Sequence, residues 1–322
     1  MHKRLLLKYR LNIIVIVSVT AISVLFPYFC TIFNFKKSAI RIYRPQSYGK
    51  YVVISNNGEN TKIDIEEFIP LVLYSIMPQD YSDEQLKAMA VIIRTYIVYR
   101  LNEKNKESGQ QDGTVDSIKN ENLGLPFTTY GELEKKWGKK YEVKYNHTMK
   151  LLEETNREVI YFEGEPIFPY YHELSAGMTN NGEFAYLKSV ESKWDMESED
   201  YMRVMYFTVD NVAEKLTAIM DGDIPLESLA EGICPEYVEN SEYVAKVKVG
   251  EKEIGIDEWQ QLFELPSQAF TVEPFADGFK FVSKGVGNGK GMSLYGAGKM
   301  AEEGKNYREI LSYYYTGVDI HD

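Results

Sequence analysis

"SDEQLKAMAVIIRTYIVYR", residues 82–100, reads as a helix buried on nearly every side. Ser82, followed three residues later by Gln85, makes a capping box whose hydroxyl and amide satisfy the free N–H groups of a helix start. Leu86, Ala90, Ile93 and Ile97 form an ordinary core stripe, and Ala88, Met89, Val91, Ile92 and Val98 cover most of the remaining circumference. A helix with so little polar face belongs at the centre of a domain. Arg94 falls inside the apolar stretch, and a guanidinium cannot shed its charge to lower the cost of burial. A carboxylate or several carbonyls are therefore expected around it. Asp83 and Glu84 read here as ordinary first-turn acids, favoured by the helix dipole.

Working outward, "YVVISNNGENTKIDIEEFIPLVLYSIMP" predicts a strand, a turn at Asn56-Asn57-Gly58, a second strand, and a helix from near Asp64 to Met77-Pro78. Residues 103–123 are polar and read as an exposed insertion loop. Helix follows over about 130–154, then a hairpin in "EVIYFEGEPIFPYYH". Beyond Trp194, "TVDNVAEKLTAIM" and "DEWQQLFEL" read as helices, "YVAKVKVGEKEIGI" and "FTVEPFADGFKFVSKG" as hairpins. Strands and helices do not strictly alternate, so the fold class expected for residues 45–322 is a single mixed α+β domain.

The N-terminus is of another kind. Leu11–Phe33 holds 23 residues without a charge, enough to cross a bilayer with some tilt. His2, Lys3, Arg4, Lys8 and Arg10 precede it, and the positive-inside rule then places the N-terminus in the cytoplasm. The expected plan is a cytoplasmic tail (1–10), a transmembrane anchor (11–33), a linker (34–44) and an extracytoplasmic domain (45–322). A cleaved signal peptide is the competing reading; the apolar run is long for one and no small-x-small cleavage site stands out.

The first 44 residues carry eight Lys and Arg and no acid, leaving 28 basic against 48 acidic residues in the remainder. Nucleic acid is therefore disfavoured as a ligand, whereas a neutral polymer is not. With only Cys30 and Cys234, a disulfide within the external part and a cysteine-rich metal site are both excluded.

Two segments draw attention by composition. "GVGNGKGMSLYGAGKMAEEG" places glycine at 285, 287, 289 and 291, which lets another backbone or a ligand approach one face of an extended segment. It is not a nucleotide loop: Lys284 and Gly291 break the GxxxxGK[ST] pattern and Lys290 ends a would-be GxGxxG. "YYHELSAGMT" holds His172 and Ser175, but there is no GxSxG elbow, and His172 lacks partners for a metal site.

Three segments in register, "MPQDYSDEQLKAMAVIIRTYIVYR", "YYHELSAGMT" with "YLKSVESKWD", and "LPSQAF" leading into "GVGNGKGMSLYGAGKMAEEGKNYREILSYYYTGV", resemble the SpoIID/LytB family over roughly residues 45–322. The resemblance implies a membrane-anchored peptidoglycan lytic transglycosylase that cuts peptide-stripped glycan strands in sporulation or related wall remodelling. It also implies a cell-wall amidase and a polytopic membrane protein as partners; no cofactor is expected, and a metal, which the family allows, is not expected here because His172 has no Cys neighbours. The family's essential acid, the glutamate of E-x-L-K-A, falls on Glu84. Such a cleavage needs a single carboxyl group. It protonates the glycosidic oxygen, then takes the proton of the sugar's own C6 hydroxyl as the 1,6-anhydro ring closes.

His172, Ser175, Asn288, Met292, Ser293 and Tyr295 are the implied groove residues, and Arg94, Gly177, Gly287, Gly289 and Gly291 the implied support. The chain departs from the family pattern at three places. Asn288 stands for the histidine of GxGHGxGMSQ, His172-Glu-Leu-Ser-Ala-Gly177 stands for HSTSGG, and Ile76 replaces an acid frequent before Met-Pro. These departures leave open an alternative, a non-catalytic LytB-like wall-binding modifier of an amidase.

Overall fold

Strands β1 (Tyr51–Asn56) and β2 (Glu59–Asp64) pair antiparallel and lead into helix α1 (Ile65–Ile76), capped by the Asp64 carboxylate, which accepts the Glu66 N–H at 2.9 Å. Helix α2 (Asp83–Glu107) follows, and its capping box forms: Ser82 N–H donates to Gln85 Oε1 at 3.0 Å and Gln85 N–H to Ser82 Oγ at 3.3 Å. The computed structural model describes Tyr43 and residues 45–56, 59–77, 81–107, 116–219 and 232–322. The tail 1–10, the span 11–33 and, apart from Tyr43, the linker 34–44 lie outside these residues. Among the described residues no helix is long and apolar enough to cross a membrane.

Helix α2 is the axis of the first core. Residues 88–95 are buried without interruption, and the helix packs on α1, α5 (Tyr141–Glu154), β4 (Val159–Phe162), α8 (Leu294–Glu302) and α9 (Tyr307–Tyr314). Neighbours on all sides leave no room for a polar face, which is why the hydrophobic periodicity of α2 is weak. Arg94 is fully buried. Its Nε and Nη2 donate to the two oxygens of Glu66 at 2.6 and 2.8 Å, its Nη1 to the Glu158 carbonyl at 3.0 Å, and its Nη2 to Thr155 Oγ1 at 3.0 Å. One side chain thus ties α2 to α1 and to the turn that leads into β4.

The polar stretch 103–123 is more regular than its composition predicts. Residues 103–107 continue α2, β3 (Ser117–Lys119) pairs parallel to β1, and a helical turn α3 (Asn120–Leu123) follows; residues 108–115 are not among those described. Ile118 and Leu123 anchor this stretch in the core. Two apolar residues so far apart leave no period to read. The helical region 130–154 divides at Gly138 into α4 (Tyr130–Trp137) and α5. The next hairpin forms as expected, β4 with β5 (Glu165–Pro166), because Glu163 and Gly164 both take the positive φ that a tight two-residue turn requires.

A second core lies in the residues between β7 (Met202–Thr208) and β12 (Gly278–Lys284). Sheet β11 (Phe270–Phe275)–β12–β7 and sheet β10 (Lys252–Gly255)–β9 (Val244–Val249)–β8 (Ile233–Tyr237) enclose Trp259, Phe263, Phe270 and Phe281 with α6 (Val209–Thr217) and α7 (Ile256–Leu262). Strands β7 and β8 are not legible in the sequence. On β7 the outward residues Met202, Val204 and Tyr206 are as apolar as the inward Met205 and Phe207, so no alternation appears. On β8, Pro235 argues against a strand and is tolerated only because β8 is an edge. With separate small sheets and helices packed on several sides, the described part is a mixed α+β fold.

Candidate functional site

Where the three motif segments meet, a short parallel pair joins β6 (Tyr171–His172) to β13 (Met292–Ser293). The glycine loop 285–291 lies flat against residues 170–175. A Cβ at Gly291 would sit 1.8 Å from the Tyr170 carbonyl oxygen, and one at Gly289 would sit 2.1 Å from the Tyr243 ring. Gly287 likewise lies against His172 Cβ and Gly177 against Met196. The loop glycines serve close approach of the chain to itself.

Asp195 is the hub of this junction. It is fully buried; Oδ2 accepts the Ser175 N–H at 2.8 Å and Oδ1 the Ser293 hydroxyl at 2.9 Å. Burial pushes its pKa up, and bonds from Ser175, Ser293 and Ser192 work in the opposite direction. Ser293 also caps α8, accepting the Gly296 N–H at 3.0 Å, and Ser175 Oγ accepts the Gly177 N–H at 3.1 Å. Both hydroxyls are thus committed to holding backbone. Met292 is fully buried in the first core. Asn288 accepts the Lys290 N–H at 3.0 Å through Oδ1 and is half-buried. Asp195 was not a sequence candidate; its signal was an acid directly after Trp194 at the end of a motif segment.

His172 is 4% exposed. Its Nδ1 lies 3.0 Å from the Lys290 carbonyl oxygen, which can only accept, so Nδ1 carries the proton. Nε2 is buried without a hydrogen-bond partner. Burial pushes the pKa from 6.5 down to about 4, opposed only by the Lys290 carbonyl, and the ring is neutral at physiological pH. The unfolded chain takes up this proton near pH 6.5 and the folded chain only near pH 4. Stability is therefore full above the higher value and is lost as pH falls between the two, by about 3 kcal/mol. His172→Gln is expected to flatten the pH dependence of the urea midpoint across this window, by one proton, relative to wild type.

Beside the junction opens a cleft of about 340 Å³, with Tyr81, Gln85, Glu173, Val286, Tyr295 and Lys299 in its walls. Gln85 is fixed by its cap and by donating from Nε2 to the Leu294 carbonyl at 3.0 Å. Lys299 Nζ stands 5.7 Å from the centre of the Tyr295 ring. Of the residues that the sequence pointed to, Tyr295 lines this cleft; His172, Ser175, Asn288, Met292 and Ser293 gather around the β6–β13 junction behind it. Arg94 belongs to the core. Among the described residues no three His, Cys, Asp or Glu are grouped to hold a metal.

Glu84 occupies a different setting. Its side chain is 28% exposed, with Oε1 at 2.9 Å from Lys87 Nζ and Oε2 accepting the Tyr307 N–H at 2.7 Å. Lys87 in turn reaches Glu154 at 2.7 Å. Burial works against the Lys87 charge, but its bonds to Glu154 and Glu84 outweigh this and raise its pKa. Glu84 thereby fastens the start of α2 to the start of α9. It stands one residue ahead of Gln85 yet is not part of the cleft wall.

A family model described as SpoIID, stage II sporulation protein, matches residues 55–162, from the first strand through β4. Stage II sporulation protein D of Bacillus subtilis (strain 168) is 30% identical over 282 residues, covering 86% of this chain and 79% of that protein. Its counterpart from Bacillus amyloliquefaciens is 31% identical over 282 residues, with the same shares. Both alignments are long enough to reach well beyond the matched model. With the paired helices, the buried arginine and the glycine loop all carried on one fold, the chain belongs to the stage II sporulation protein D family.

Proposed function

We propose that this chain remodels the cell wall during sporulation, cleaving peptide-stripped glycan strands by lytic transglycosylation. The observation that carries the reading is the cleft at the junction of the motif segments, which combines carboxylates with partly exposed tyrosine faces. A sugar ring stacks on Tyr81 or Tyr295 while an adjacent carboxyl group handles the proton. The acid is drawn from two positions: Glu84, just ahead of the cleft-lining Gln85, and Glu173, in the wall itself. The N-terminal apolar run would hold the domain at the outer face of the membrane, beside the amidase and polytopic protein that the family resemblance implies.

A second reading, a wall-binding modifier of an amidase without catalysis of its own, is favoured by the engagement of Glu84 with Lys87 and the Tyr307 N–H. Mass spectrometry separates the two. Purified full-length chain incubated with peptide-free glycan strands is expected to release fragments ending in 1,6-anhydro-muramyl residues. Binding of the strands with no such ends, from folded protein, would favour the second reading.

A further inference from the structure

We infer a second sugar-binding site outside the cleft, in a hollow of about 300 Å³ walled by Tyr237, Glu242, Thr271, Val282 and Lys284, which seats a distal sugar of the glycan strand. Only the identity of the strand rests on the wall-remodelling reading; the site itself stands on its geometry. Tyr237 is 45% exposed, yet its ring is held in place, because its hydroxyl donates to the Phe270 carbonyl on β11 at 3.2 Å. The β8–β9 ladder also changes register at this residue. Glu236 pairs with Lys246 but Tyr237 with Val244, which leaves Ala245 as the extra residue of a bulge. Bulges re-aim side chains beside binding sites.

The rim is polar and equally well fixed. Lys284 Nζ meets the Glu242 carboxylate at 2.8 Å. Glu242 stands on a turn closed by the Val238 N–H on the Tyr243 carbonyl at 2.8 Å and the Ser241 N–H on the Val238 carbonyl at 3.1 Å. Burial, then the charge of Glu242, raise the Tyr237 pKa against the effect of Lys284, so the phenol stays protonated. An aromatic face beside an ammonium, a carboxylate and the Thr271 hydroxyl is what a sugar ring requires: its C–H face stacks and its hydroxyls bond to the rim.

The hollow also lies in sequence with the cleft. Ser241 and Glu242 line both it and a neighbouring hollow of about 400 Å³, whose wall includes Ala176 and Met178. Leu174, two residues before Ala176, and Val286, two residues after Lys284, are in the cleft wall. These two exchange N–H and C=O bonds at 3.1 and 2.7 Å, so one pair of joined segments runs from the cleft to both hollows. Tyr201 ties the segments together. Its carbonyl accepts the Gly285 N–H at 2.7 Å, its hydroxyl donates to the Ala176 carbonyl at 3.1 Å, and its neighbour Asp200 lines the cleft. Hollows placed one after another along the same segments fit a polymer rather than a single small ligand.

The test measures binding of long peptide-free glycan strands to full-length wild type, Tyr237→Ala, Tyr237→Trp and Lys284→Met, with kcat, KM and the thermal midpoint alongside. Tyr237→Ala is expected to weaken binding and raise KM about tenfold, with kcat unchanged. Tyr237→Trp keeps an aromatic face; it is expected to bind as wild type does and to shift its fluorescence emission when strands are added. Lys284→Met, which alters only the exposed rim, is expected to weaken binding about threefold and serves if Tyr237→Ala fails to fold. Wild-type affinity in folded Tyr237→Ala, or in Lys284→Met where the alanine variant does not fold, overturns the site. A fall in kcat together with the midpoint would show that the ring serves the fold instead, and also overturns it. If wild type releases no anhydro ends while the binding pattern is as expected, the cleavage reading fails and this site stands.

Discussion

Arg94→Met is expected to lower the unfolding free energy by about 3–5 kcal/mol, because it strands the Glu66 carboxylate in the first core. Both residues are buried, Arg94 completely and Glu66 to 2% exposure. The guanidinium satisfies four acceptor atoms at once: both Glu66 oxygens, the Glu158 carbonyl and Thr155 Oγ1. Methionine fills similar volume but donates nothing, so the cost is dominated by an uncompensated charge rather than by a cavity. The double variant Arg94→Met, Glu66→Leu removes the stranded charge as well and is expected to recover much of the loss. Urea unfolding of the three proteins measures this directly. Equal destabilisation in the single and double variants would mean that the Glu158 carbonyl and Thr155, not the ion pair, are what the arginine serves. Glu158 is itself part of a wider network, since its carboxylate accepts from the Tyr307 hydroxyl at 2.9 Å and from the Arg308 guanidinium.

The second large effect is expected at Gly291. Alanine there would bring its Cβ to 1.8 Å from the Tyr170 carbonyl oxygen, at a backbone φ of +69°. That oxygen cannot yield easily, because it accepts the Met292 N–H at 3.1 Å and the Tyr315 hydroxyl at 2.6 Å. The cost combines left-handed backbone strain with steric overlap, about 2–5 kcal/mol in all. Gly304→Ala is the matched control. Its φ is +88° but nothing lies within 4 Å of the added Cβ, so only the backbone part remains, about 1–2 kcal/mol. Thermal or urea midpoints of the two variants give the comparison. If Gly291→Ala proves no worse than Gly304→Ala, the close approach of the glycine loop to Tyr170 is not what fixes the glycine. Parting β13 from β6 would also shift Tyr295 and the Glu173 backbone, so any glycan-cleaving activity should fall with stability.

The central helix, its capping box and the need of Arg94 for buried partners were legible because each rests on local rules: a cap within four residues, an apolar surface around one axis, a charge that cannot be neutralised. The hairpins at 159–166, 244–255 and 270–284 were legible for the same reason, through alternation interrupted by turn residues. Strand β7 was not, since both its faces are apolar, nor was the ordered end of the 103–123 stretch, whose anchors Ile118 and Leu123 are too sparse to form a pattern.

The site divides in the same way. Composition alone determined that four alternate glycines at 285–291 mark a close approach, and the motif segments pointed to their family. Only the tertiary structure decided that the approach is to residues 170–175, that Ser175 and Ser293 are spent on Asp195, and that Glu84 is held by the Tyr307 N–H. Those facts depend on which atoms meet across separations that run from 20 to 223 residues of chain. A side chain's chemistry is written at its own position, but its availability is set by the partners that folding brings to it.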